Sequence, residues 1–98
     1  MKCFFNLAGA IYNPDVEGVE IATINEARLE AARFLSGVIS DHPDAVWAGD
    51  EVRVEVTDAN QLVLFTIVAF GIDAAAVAGQ PASFRSSAET FSRKKRRA

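Results

Sequence analysis

Six residues near the middle of the chain, Val52-Arg53-Val54-Glu55-Val56-Thr57, alternate apolar and polar without a break. Successive strand side chains point to opposite faces, so a strand from Glu51 to Thr57 buries the three valines and turns Arg53 and Glu55 to water. Asp58-Ala59-Asn60-Gln61 then reads as a hairpin turn, with Asn60 as the residue that tolerates a left-handed backbone. The return strand, Leu62 to Phe70, is apolar on both faces. Val63, Phe65, Ile67 and Ala69 share one side, and Leu62, Leu64, Val68 and Phe70 the other, with Thr66 between. A lone hairpin is barely stable in water, so this one requires further strands or a helix to bury its apolar face.

The first part of the chain supplies both. Lys2 to Ala8 reads as a strand, with Cys3, Phe5 and Leu7 on one face and Phe4, Asn6 and Ala8 on the other. Tyr12-Asn13-Pro14-Asp15 reads as a turn, and Val16 to Ala22 as a second strand with Val19 and Ile21 inward and Glu20 outward. Thr23 and Glu26 form a Thr-x-x-Glu capping box at the start of a helix. Ile24, Ala27, Ala31, Phe34, Leu35 and Val38 fall on one face of that helix, and Arg28, Glu30, Arg33 and Ser36 on the other. Asp41-His42-Pro43 ends it, because the residue before a proline is pushed out of the helical region. The expected fold is α+β, in the order ββαββ: a four-stranded antiparallel sheet with one amphipathic helix on one face. Strands apolar on both faces suit a sheet interior, so the expected spatial order is two-one-four-three.

Composition divides the chain in two. Residues 1–72 hold four cations against eleven acids, a net −7, and residues 73–98 hold six cations against two acids, a net +4. Residues 1–72 are therefore read as the folded domain, and 73–98 as an Ala- and Ser-rich basic tail without enough apolar anchors to pack stably. Asp73 to Gly79 reads as a short helix within it. The longest apolar run, Leu62 to Ile72, is about half the ~20 residues that a membrane-spanning helix needs. No signal peptide is expected, and a single cysteine forms no internal disulfide, so the expected location is cytoplasmic.

Phe4-Phe5-Asn6-Leu7, Asp15-Val16-Glu17-Gly18-Val19-Glu20, Glu26-Ala27-Arg28 with Ala31-Ala32, Val54-Glu55-Val56-Thr57-Asp58-Ala59 and Leu64-Phe65-Thr66 occur in that order. Together they resemble a family of short bacterial proteins, domain of unknown function 6894, over residues 3–70. Members have a Tyr-Phe-Phe-Asp-like start, an Asp-Glu-Glu-Gly-Val-Glu-like second strand and a helix opening in Glu-Ala-Ala. Cys3 stands where an aromatic is usual, and Asn60 where glycine is usual. The resemblance supports the fold and transfers no activity. The layout is also similar, at the fold level alone, to antitoxin domains of the HicB type.

Candidate chemistry is sparse. Cys3 alternates with Phe5 and Leu7, which suits a buried thiol better than a nucleophile. His42 lies between Asp41 and Asp44, but the stretch is better explained as a polar helix stop than as a metal site. Asp15, Glu17 and Glu20 are better explained as a solvated strand edge than as acid–base partners. No catalytic, cofactor-binding or metal-binding residue is therefore assigned, and no enzyme activity, small-molecule substrate or cofactor is expected. Two features point to interactions. Arg93, Lys94, Lys95, Arg96 and Arg97 form an unbroken cationic run, a candidate contact for nucleic-acid phosphates. With the helix on Cys3, Phe5, Val63, Phe65 and Ile67, the residues Phe4, Leu64, Val68 and Phe70 are left on the other face as a candidate interaction surface. The alternative covers for that face are the segment Asp73 to Phe84 and Trp47, folding over from its loop. The leading expectation is a small non-enzymatic interaction module that self-associates through the open sheet face or an edge strand, as a homodimer or other homo-oligomer. The alternative is an accessory protein that binds nucleic acid through its basic tail.

Overall fold

A computed structural model describes residues 1–77. The elements run β1 (Lys2–Gly9), β2 (Val19–Glu20), α1 (Ile24–Asp41), a short 3-10 helix (Pro43–Trp47), β3 (Val52–Thr57) and β4 (Val63–Ala69). The four strands form an antiparallel sheet with α1 packed on one face, which is the α+β arrangement expected from the hydrophobic pattern. Their spatial order is β2-β1-β3-β4. This corrects the expected two-one-four-three: β3, not β4, lies beside β1, and β4 is an edge strand. Alternation in β3 reports one wet face, not an exposed edge, since an inner antiparallel strand keeps one face in solvent when the helix covers only the other.

Side chains on the helix side make the core. Cys3, Phe5 and Leu7 of β1 and Val52, Val54 and Val56 of β3 are buried under Ala27, Ala31 and Leu35 of α1. Two alanines at the contact bring the helix close to the sheet, and Ile21 closes the side next to β2. Phe34, expected on the buried face, is exposed at the flank of the helix. The Thr23 hydroxyl accepts the Glu26 amide at 3.1 Å, so the helix starts at the expected cap. At its other end the His42 amide donates to the Val38 carbonyl, and Pro43 opens the 3-10 helix instead of continuing α1.

Gly9, with φ +88°, ends β1; a Cβ there would lie 2.1 Å from the Glu51 carbonyl oxygen, so only glycine lets the two strands meet. In the β3–β4 turn the Asp58 carboxylate accepts the amides of Asn60 and Leu62. The left-handed residue is Gln61, φ 65°, not Asn60 as expected. Of the expected short helix at 73–79, the described part holds one turn, closed by the Val77 amide on the Ala74 carbonyl.

Candidate functional site

The expected apolar surface depends on which residues of β1 and β4 share the uncovered sheet face. Cross-strand partners fix this. Phe4 lies opposite Thr57, which lies opposite Val63; Asn6, Glu55 and Thr66 form the next row, and Ala8, Arg53 and Val68 the third. The middle row is polar, so Phe4 and Val68 are separated and no continuous apolar face spans the sheet. Arg53 adds to the polar band: its Nη1 donates to Glu51 Oε1 at 2.7 Å and its Nε to Glu55 Oε2 at 2.8 Å. These two carboxylates, Glu55 first, hold the Arg53 pKa above its ordinary value.

β4 departs from the expected alternation. Val52 to Val56 pair regularly with Ala69 to Phe65, and Thr57 then pairs with Val63, which leaves Leu64 as the extra residue of a β-bulge. The bulge exchanges the faces of its neighbours. Leu64, expected on the open face, packs with Phe65 against the core, while Val63, expected inside, is half exposed. Of the four candidate residues, Val68 and Phe70 stay on the open side and are exposed. Phe4 is half-buried: a Cβ on Gly18 would lie 2.9 Å from its ring, so the loop before β2 covers it. Val68 and Phe70 remain exposed with Trp47 in place. The Trp47 ring lies on Gly71, where a Cβ would come within 2.4 Å, and the Gly71 amide donates to the Val46 carbonyl at 2.8 Å.

The two sheet edges differ. β2 is two residues long, far shorter than the expected Val16 to Ala22, because Asp15 takes over the role of a strand. Its Oδ1 accepts the Glu17 and Gly18 amides at 3.0 and 3.1 Å, and its Oδ2 accepts the Phe5 amide of β1 at 3.1 Å. The Asp15 amide in turn donates to Asn6 Oδ1 at 2.9 Å, and Asn6 Nδ2 reaches the Glu55 carbonyl at 3.0 Å. Asn13 exchanges both backbone hydrogen bonds with Leu7. The outer side of β1 is thus partnered from Cys3 to Leu7 by β2, a carboxylate and a bridge. Burial pulls the Asp15 pKa up, but the Gly18, Phe5 and Glu17 amides and the charge of Lys2 outweigh it and hold it below the ordinary carboxylate value. Asp15 is therefore a structural plug, with its lone pairs committed to the backbone.

β4 carries no such protection among the described residues. Phe5 and Leu7 bond away from β3, so Val54 and Val56 opposite them turn their amides and carbonyls toward β4. Phe65, Ile67 and Ala69 therefore face β3, and Thr66 and Val68 direct their amides and carbonyls outward. Phe70 is one residue past β4 and has the same parity as Thr66 and Val68 by strand alternation, and the next amide, that of Gly71, leaves the ladder for the Val46 carbonyl. All three side chains are exposed, and no charged residue occurs from Leu62 to Ile72. From sequence an edge strand is one route to self-association and Val68 and Phe70 are candidates, but β4 is expected inside the sheet and Thr66 is passed over, because a uniformly apolar run hides both the bulge and the strand's edge position. A cleft of about 270 Å³ lies at its end, lined by Val68, Phe70, Val46 and the backbone turn at Gly49 to Glu51.

The remaining sequence candidates are dispersed. Cys3 is fully buried, and that burial pushes its thiol pKa up, away from a reactive thiolate. His42 caps α1 and is exposed. Among the described residues no three His, Cys, Asp or Glu side chains come together in a metal-binding arrangement. No helix among them is long and apolar enough to cross a membrane. Arg93, Lys94, Lys95, Arg96 and Arg97 lie outside the described residues, as does the Phe84 end of the segment expected to cover the sheet.

A family model, Domain of unknown function (DUF6894), matches residues 2–71, which span β1 through the end of β4. The chain belongs to this family. The match covers the sheet, the helix and Gly71 under Trp47, and it brings no activity with it. No curated protein and no solved structure matches the chain, so the likeness to HicB-type antitoxins carries no argument.

Proposed function

We propose that the domain is a small non-enzymatic interaction module that self-associates by adding the β4 edge of a second copy to its sheet. The observation that carries this reading is the contrast between the two edges. The β1 side is closed by β2, Asp15 and Asn13, whereas β4 offers an uncharged edge with exposed Val68 and Phe70. Edges are usually blunted by charge, proline or cover, and one left open is a template for another strand. Asp15, bound to backbone amides, and the Glu51–Arg53–Glu55 group are committed to holding the sheet together, which supports a binding role over a catalytic one. A buried, unpaired Cys3 suits a reducing compartment, and cytoplasmic residence is part of the proposal.

Light scattering on the full-length chain across a dilution series tests it. The expected result is a dimer that dissociates on dilution. Thr66→Pro removes an outward amide and no ladder bond, so it should give a folded monomer. A parent chain that is monomeric at every concentration refutes the proposal.

A further inference from the structure

Resting on that reading, we infer that the two copies pair antiparallel about a two-fold axis at Val68, with Val68 opposite its own counterpart and Thr66 opposite Phe70 of the second copy. Identical edges joined into one sheet by a two-fold axis run antiparallel, so each register is defined by the residue on the axis. Hydrogen-bonded pairs must be drawn from residues that direct their backbone outward, which here are Thr66, Val68 and Phe70. Upstream, the bulge at Leu64 breaks the spacing. Val63 also faces outward but is three residues from Thr66 instead of two, and bulges twist an edge away from further pairing. The usable run is therefore Thr66 to Phe70, and its centre is Val68.

Side chains agree with this register. Val68, with 46% exposure, meets its twin across the axis, and the exposed Phe70 ring lies over the Thr66 methyl of the second copy. No charge occurs between Leu62 and Ile72, so two domains that are each strongly acidic over residues 1–72 meet through a neutral strip. Other registers lose part of this. An axis at Ile67 sets Phe70 against the bulged Leu64, and an axis at Thr66 sets Val68 there instead. A pairing of about five residues per copy sits at the low end of interface size, which matches an association that reverses on dilution.

Single-cysteine cross-linking reads the register directly. Opposed residues of a hydrogen-bonded pair have Cα atoms about 5.5 Å apart, within disulfide reach. Two Thr66 residues would be offset by four positions, about 13 Å along the strand, and beyond reach. Val68→Cys under mild oxidation should give a cross-linked dimer at least tenfold above the parent chain, whose own Cys3 is buried, and Thr66→Cys should stay at the parent level. Cross-linking at Thr66→Cys instead, or only when the two variants are mixed, overturns the Val68 axis while a dimer in light scattering keeps the self-association itself. Absence of any dimer in light scattering overturns both.

Discussion

Replacing Asp15 by asparagine tests whether a single carboxylate substitutes for a strand. In the parent, Oδ1 serves the Glu17 and Gly18 amides and Oδ2 serves the Phe5 amide. Asparagine keeps one oxygen, so the turn survives while an NH₂ group is set against the Phe5 amide, donor against donor. A lost bond to a charged acceptor costs about 1.5–3 kcal/mol, and partial exposure of the site lets water recover some of it. Asp15→Asn should therefore cost about 1–2 kcal/mol at pH 7, and Asp15→Ala, which frees all three amides, about 2–3 kcal/mol. The pH dependence follows from the depressed pKa. Stabilisation by Asp15 is complete above the unfolded value of about 3.9 and is lost as pH falls through the lower folded value. Urea unfolding followed by far-ultraviolet circular dichroism should show parent and Asp15→Asn well separated at pH 7 and converging as the pH falls below the ordinary carboxylate range. A variant as stable as the parent at pH 7, or a gap that persists unchanged in acid, would refute the plug.

Two further outcomes follow from the same geometry. Ile67→Pro, one residue from the tolerated Thr66→Pro, deletes an amide that faces β3 and should lower stability by about 1–3 kcal/mol, so circular dichroism separates the two positions. Cys3 should react with a thiol reagent only as fast as the domain opens, and denaturant should release it; rapid labelling in native buffer would contradict its burial beneath α1.

Elements with strong local chemistry were legible from residues alone. The Thr23 cap, the Pro43 stop and the Val52-Val54-Val56 alternation all appear where the pattern places them. What escaped is tertiary. The apolar run Leu62 to Phe70 contains no residue that marks a bulge, so Val63 and Leu64 were assigned to each other's faces. The same run looked like an inner strand, although β4 is an edge strand whose Val68 and Phe70 stay exposed. Asp15 looked like a solvated acid, because its three amide donors come from a loop and a strand ten residues away. In the proposed interface the surface expected at Phe4, Leu64, Val68 and Phe70 contracts to its last two members, joined by the exposed Thr66, whose outward amide is invisible to hydropathy.

Amide hydrogen exchange at Thr66, Val68 and Phe70 tests the central claim most directly, because these are the groups a second β4 would hold. Phe65, Ile67 and Ala69 should be protected at every protein concentration, since they bond to β3. Thr66, Val68 and Phe70 should exchange quickly in dilute solution and become protected as concentration rises through the dimer transition. Rapid exchange at those three positions at all concentrations would contradict edge pairing, and concentration-independent protection would show that the edge is already covered within a single chain.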